Sequence, residues 1–494
     1  MNQNSLPEVV AAGFSLREKL EQNFYPFTAL GENLIVNKNT GAVYKATDRA
    51  MSAFSGGSAD ESLLDELKIL TEDGKKSIDF YSGFAKKLEN EKAAPNSVCL
   101  IISRNCNFNC EYCYGGYGSA GYGAAGVEKA DMNMSTALST VDFLFSQNSP
   151  SIEFDFFGGE PLLNWDVCEK TIEYIKEKSI NSGKKVKIAL TTNGYLLDEE
   201  KIYFLNKHKV NLVLSLDGGR SCHNSLRKSV SGKDTFDKVY ENLKQLLSSR
   251  EGNYYLRGTY TGKTLNFYDS FKFYIDNGIE YFSLEPVVRM GSDLSIKKED
   301  IEKIDKEYEK CARLLLEVNK NQEKFHFYHF NMNIYKPPCV EKKIRSCAAG
   351  VKYFAVDYNG DIYPCHQFVG VDKFKMGQIK ARGLASTSLM GTVHRLITDR
   401  DSPHINLLCA CPLRGEAPKN MLDEAISAQF KKNHIFNKEK CKNCWARVYC
   451  SGGCAASNYF HNKSIFEPED INCDIMKIRT KYALAYNIKK GTRD

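Results

Sequence analysis

Between Pro95 and about Arg289 the chain alternates short β-rich runs with amphipathic stretches long enough for helices, and this alternation restricts its fold more than any other feature. Strands are expected at Val98 to Arg104, Ile152 to Phe157, Val186 to Thr191, Val210 to Leu216, Tyr254 to Tyr260 and Tyr281 to Val287. Helices are expected between them, near Ser135 to Ser146, Trp165 to Ser179, Glu199 to Lys207, Phe236 to Ser248 and Phe267 to Asn277, with Lys298 to Glu317 after the last strand. Six β-α units in series imply an α/β fold with a parallel sheet and right-handed crossovers. Such sheets place their chemistry beyond the carboxyl ends of the strands.

A chain of 494 residues is too long for one ordinary core, and about three domains are expected. Residues 1–90 read as a small α+β module. In it Glu32 to Tyr44 forms a hairpin with Asn39-Thr40-Gly41 near its turn, and helices flank a Gly/Ser-rich gap at Ser55 to Ser58. Residues 91–320 carry the β-α units. Residues 321–494 have short strands, many turns and ten of the seventeen cysteines, so something other than a large apolar core is expected to organise them. Within them, 380–433 reads as an insertion. A net charge of only +6, with the signs interspersed, does not indicate nucleic-acid binding. No basic segment precedes an apolar run at the start, and no stretch reaches the roughly 18 apolar residues that span a bilayer, so a cytoplasmic chain is expected.

Seventeen cysteines, an odd number, do not make a disulfide framework in a reducing compartment. Scatter among apolar residues explains Cys99, Cys168, Cys222 and Cys311, which are expected in the core. It does not explain tight polar clusters, for which metal ligation is the leading hypothesis. Cys106-x3-Cys110-x2-Cys113 leaves the first strand directly. Three thiolates are one short of the usual four for a [4Fe–4S] cluster and leave one iron open, while the competing reading is a zinc knuckle lacking a ligand. At the second strand end stands Gly158-Gly159-Glu160-Pro161, which alone could be a tight turn.

Cys106-x3-Cys110-x-Tyr112-Cys113 resembles the signature of the radical S-adenosylmethionine (SAM) superfamily, and the six units resemble its partial (β/α)6 TIM-like barrel. The resemblance implies that Gly158, Gly159 and Glu160 are the family's GGE motif, the glycines allowing close approach and the carboxylate pairing with the α-ammonium of SAM. It places Ser215, with Asp217, on the ribose side of SAM, and makes Arg227 and Arg257 candidates for its carboxylate.

The later cysteines read Cys347-x12-Gly360-x4-Cys365, then Cys441-x2-Cys444-x5-Cys450-x3-Cys454, then Cys473. They resemble the SPASM extension of one radical SAM branch, which binds two auxiliary [4Fe–4S] clusters. A pair of zinc sites is the alternative that CxxC spacing allows. By the resemblance Cys347, Cys365 and Cys454 hold cluster I, and Cys441, Cys444, Cys450 and Cys473 hold cluster II. The fourth ligand of cluster I is then absent, capped by Cys339, Cys409 or Cys411, or taken from a substrate thiol. Three [4Fe–4S] clusters and SAM are the cofactors implied.

Gly360 to Gly370, with Cys444-Trp445-Ala446-Arg447 and Tyr449 to Cys454, most resembles peptide maturases of the SCIFF and sactipeptide types, which form thioether cross-links. Sulfatase maturases commonly place an acid after the GX4C cysteine, where this chain has His366. Glu32 to Thr47 and the following helix resemble the winged-helix-like element that captures leader peptides, its sheet edge accepting an added strand. The resemblance therefore implies a peptide-modifying oxidoreductase, a Cys-rich precursor with a leader, and an electron donor of flavodoxin or ferredoxin type. Formylglycine formation on a sulfatase-like protein is the alternative activity, and a zinc-stabilised peptide-binding protein the alternative without catalysis.

Overall fold

A computed structural model describes residues 16–55, 61–115, 130–288, 293–332, 334, 339–381 and 422–491. Cys409 and Cys411 lie outside the described residues, as does most of the expected insertion.

The N-terminal region begins with α1 (Leu16–Asn23), β1 (Phe24–Ala29), β2 (Glu32–Asn37) and β3 (Val43–Lys45). The strands form one antiparallel sheet in the order β1-β2-β3, with Leu34 opposite Lys45. The expected hairpin is thus present, and its turn is built by Asn37, whose side chain accepts from the amides of Asn39 and Thr40. Two helices follow, α2 (Asp48–Phe54) and α3 (Glu61–Asn90). The Thr47 hydroxyl caps α2 by accepting from the Ala50 amide.

The β-α series is β4 (Ser97–Ser103), α4 (Met134–Ser146), β5 (Ser151–Gly158), α5 (Trp165–Ser182), β6 (Lys185–Thr192), α6 (Glu199–Lys207), β7 (Asn211–Ser215), α7 (Arg220–Leu226), α8 (Phe236–Ser249), β8 (Tyr254–Tyr260), α9 (Phe267–Asp276), β9 (Tyr281–Pro286) and α10 (Ile301–Val318). All six expected strands lie in one sheet and pair in parallel, in chain order. Strand β4 reads Val-Cys-Leu-Ile-Ile, all buried, as befits a parallel strand covered on both faces. Helix ends follow their local chemistry: Asn133 and Asp198 cap α4 and α6, and Gly183 stops α5 in the left-handed conformation at φ +65°. Two departures appear. Helix α7 was not expected, and Lys298–Asp300 is a 3-10 turn before α10.

The C-terminal region corrects one expectation. Strands β10 (His326–Phe327), β11 (Tyr353–Val356), β12 (Asp361–Tyr363) and β13 (Gly377–Gln378) extend the same sheet to ten strands, in the order β10-β9-β8-β7-β6-β5-β4-β11-β12-β13. Strand β11 runs parallel to β4, and β12 and β13 turn back antiparallel. Phe354, Phe368, Phe374, Phe430, Trp445 and Tyr482 share one apolar core with the β-α units. A large core therefore organises this region, because its strands inherit the buried faces of the sheet they join. The last described element is a 22-residue helix, Asp470–Gly491, packed along α10 and against β1. Among the described residues no helix is long and apolar enough to cross a membrane. Cys99, Cys168 and Cys311 are core thiols as expected, whereas Cys222 is only partly buried.

Candidate active site

The chain leaves β4 through Arg104 and Asn105 and enters the loop of Cys106, Cys110 and Cys113, which is stitched to the segment after α7. The Asn109 amide donates to Lys228 O, Glu111 to Leu226 O and Val230 to Asn107 O. Gly158 and Gly159 end β5 where only glycine fits: a Cβ on Gly158, at φ +140°, would stand 2.2 Å from the Ser103 carbonyl oxygen, and one on Gly159 2.3 Å from that of Asn105. The absent side chains bring the β5 end against the cysteine loop. The three cysteines, Tyr112, Gly158, Gly159, Ser215, Arg227 and Arg257 then line one cavity at the carboxyl ends of the strands.

Two expected cofactor contacts sit behind that wall. Glu160 is fully buried; it accepts from the Leu162 amide at 3.0 Å, the Thr192 hydroxyl at 2.7 Å and the Asn193 amide at 2.7 Å. Burial pushes its carboxyl up to about 7, and these hydrogen bonds pull the other way. Asp217 is also buried and does not line the cavity. It accepts from Tyr112 OH and, at 2.9 Å, from the Thr259 amide. Arg227 donates to Tyr112 OH at 2.6 Å and stands 3.8 Å from Asp217. Burial disfavours the Arg227 cation, yet Tyr112, Cys110 and Asp217 together hold its pKa well above the ordinary value. The partly buried Tyr112 and the buried Asp217 and Arg227 thus form a brace that links the cysteine loop to the ends of β7 and α7. Arg227 Nε is buried with no hydrogen-bond partner. Arg257, opposite Ser215 in the β7–β8 register, is exposed to the cavity.

Glu285, at the end of β9, lines the same cavity and no motif marks it in the sequence. Its Oε1 is 3.2 Å from His329 Nε2 and its Oε2 is 3.3 Å from Arg479 Nη2. Against the effect of burial, His329, Arg479 and Arg257 hold its carboxyl well below the usual range. His366 packs its ring 5.1 Å from that of Phe157, another cavity residue, and shares a 2.8 Å hydrogen bond between Nδ1 and Tyr353 OH. Burial and the Arg257 charge lower its pKa to about 4, leaving a neutral imidazole at pH 7.

The later cysteines gather in two places. Cys365 is buried within the electrostatic reach of Cys454 and Cys347. Cys441, Cys444, Cys450 and Cys473 line a second cavity of about 610 Å3. Cys339 is exposed just before the helix Val340–Arg345. Among the described residues no three Cys, His, Asp or Glu side chains converge on a point that could hold a single metal ion.

The radical SAM superfamily model matches residues 100–262. The chain is 26% identical over 370 residues to the cysteine-type anaerobic sulfatase-maturating enzyme of Clostridium perfringens, covering 71% of this chain and 86% of that one. It is also 26% identical over 168 residues to the radical SAM cyclopropyl synthase TigE of Paramaledivibacter caminithermalis, 32% of this chain and 34% of that one. In fold it is similar to anSMEcpe with bound AdoMet, with a TM-score of 0.61 at 23% identity over 81% of this chain and 96% of that chain. With the family model lying over β4 to β8 and the cysteine loop opening into their common cavity, residues 100–262 carry a radical SAM domain.

Proposed function

We propose that this radical SAM enzyme is a peptide maturase that joins a cysteine sulfur of a ribosomally made, Cys-rich precursor to a carbon of another residue. The radical SAM domain implies one [4Fe–4S] cluster and SAM, and the residues present fit both: three thiols share a cavity with a glycine cradle and an unpartnered guanidinium nitrogen. When bound there, the cluster and SAM would supply reductive SAM cleavage and hydrogen-atom abstraction from the substrate. Cys106, Cys110 and Cys113 would hold the cluster, and Gly158, Gly159, Ser215, Arg227 and Arg257 would bind SAM, with Arg257 free to take its carboxylate. Asp217 and Glu160 act from behind and Tyr112 from the cavity wall, fixing the loops that carry those contacts. Phe108, Phe157 and Val287 give the remaining wall an apolar part beside the polar Thr191, Asn193, Thr259 and Glu285.

The observation that carries the peptide reading is the N-terminal sheet: among the described residues β3 pairs only with β2, and its residues are half-buried to exposed, so a leader can add there as a further strand. Thioether formation removes one C–H and one S–H hydrogen, a two-electron oxidation. It therefore needs an electron acceptor near the site. Two further [4Fe–4S] clusters, one held by Cys347, Cys365 and Cys454 and the other by Cys441, Cys444, Cys450 and Cys473, would serve. Their grouping in the fold supports ligation by each set. A flavodoxin- or ferredoxin-type donor would supply the initiating electron.

Formylglycine formation is the second reading, favoured by the likeness over 86% of the C. perfringens enzyme. Anaerobically reconstituted protein given SAM, reductant and a Cys-rich precursor should yield a peptide two hydrogens lighter with every sulfur retained. A product that has lost sulfur, or activity only on a sulfatase-derived cysteine peptide, would establish the second reading instead.

A further inference from the structure

The cavity lined by Cys441, Cys444, Cys450 and Cys473 is not enclosed by the C-terminal region alone. Tyr25 of β1 and Lys38 of the β2–β3 turn form part of its wall. Tyr25 stacks on Trp445, the residue after Cys444, with ring centroids 4.7 Å apart and planes within 3°. Phe27 adds a tilted contact to the same indole at 5.8 Å. Farther round the turn, Arg447 Nη2 donates to Asn39 Oδ1 at 2.6 Å, and Tyr449 OH donates to Gly41 O. Gly41 sits at φ +76°, and a Cβ there would stand 2.5 Å from Val448 Cγ2, so the turn lies flush on the loop. Every one of these anchors lies between Cys444 and Cys450. Leader capture at the β3 edge requires none of them.

We infer that the N-terminal module has a second role: it is the outer wall of the Cys441–Cys473 site and shields the cluster bound there from solvent and chelators. The inference rests on the reading that these four thiolates hold a [4Fe–4S] cluster. Iron–sulfur stability and potential depend on solvent access, hydrogen bonding and the apolar shell, and this shell comes in part from the other end of the chain. Lys38 and Arg447 add positive charge beside four thiolates, as such a site needs.

The test uses the full chain, reconstituted anaerobically, challenged with a ferrous chelator, and checked for folding by thermal unfolding. Tyr25→Ala and Gly41→Ala should release about four irons per chain some five- to tenfold faster than the unmodified protein, the rest staying slow. Tyr25→Phe, which keeps the stack, should behave as the unmodified chain. Asn39→Ala, which removes the hydrogen bond from Arg447 and a longer one to Asn23 within the module, gives a milder increase and tests the idea should the stronger variants unfold. Unchanged release from folded variants, or equal acceleration of all the iron, would overturn the shield. The cluster reading is tested separately by Cys441→Ser/Cys444→Ser: an iron content equal to that of the unmodified protein would refute the cluster itself.

Discussion

Glu285 shows how much of the cavity depends on single side chains that no motif announces. It is an ionised carboxylate whose oxygens face His329 and Arg479, and Arg479 in turn donates to Tyr308 OH at 2.7 Å. Glu285→Gln keeps the shape and removes the charge, leaving the buried guanidinium of Arg479 short of its counter-ion. A loss of about 3 kcal/mol is expected at pH 7. The sign of its pH dependence follows from the depressed pKa: the stabilisation is fully present above the ordinary carboxylate value and is lost as pH falls through the lower folded value. Denaturant titrations at several pH values should therefore show the gap between Glu285→Gln and the unmodified chain closing below about pH 4.5. A gap constant with pH would mean that packing, not charge, is what the substitution removes.

The elements were legible wherever one periodicity ruled. Strands such as Tyr254–Tyr260 and helices such as Glu199–Lys207 fall where the pattern places them, because each buries one face or both against a fixed neighbour. The terminal helix was not, for a physical reason: Ile475, Ile478, Arg479, Tyr482, Ala483, Leu484, Tyr486 and Ile488 are all buried, so no clean polar stripe alternates with an apolar one. Brace and support residues were illegible for a related reason. The sequence marks Glu160 within the Gly-Gly-Glu motif and Asp217 beside the end of β7, but only the fold shows them turned away from the cavity toward the Asn193 and Thr259 amides. The terminal helix also carries Cys473 and Arg479, joining both cavities through one element. Arg479→Met should cost about as much as Glu285→Gln, and the double variant should be less destabilised than the sum by roughly 1–2 kcal/mol, since the second change removes the orphan that the first creates. Additive losses in equilibrium unfolding would show that the helix and β9 are not coupled through this pair.

At the scale of the whole molecule, sequence divides what the backbone joins. A boundary near residue 320 follows the change in composition, yet β11 continues the sheet by pairing with β4 at Tyr353–Ser97, Phe354–Val98, Ala355–Cys99 and Val356–Leu100. The apolar run of β4 thus has β5 on one side and the C-terminal region on the other. Long-range pairing of this kind, across some 250 residues, leaves no local signature, because β11 is four residues long and its partner lies outside any window. A chain ending after Val318 would expose that strand edge together with the surfaces of α10 and β9 that the terminal helix covers. An unpaired apolar edge is a template for association. The fragment is expected to aggregate or to melt without a cooperative transition, while the full chain elutes as a single species in size-exclusion chromatography and unfolds cooperatively. If the fragment were instead monomeric with a sharp transition, the composition boundary would mark an independent domain after all, and β11 would be an accessory to a barrel stable without it.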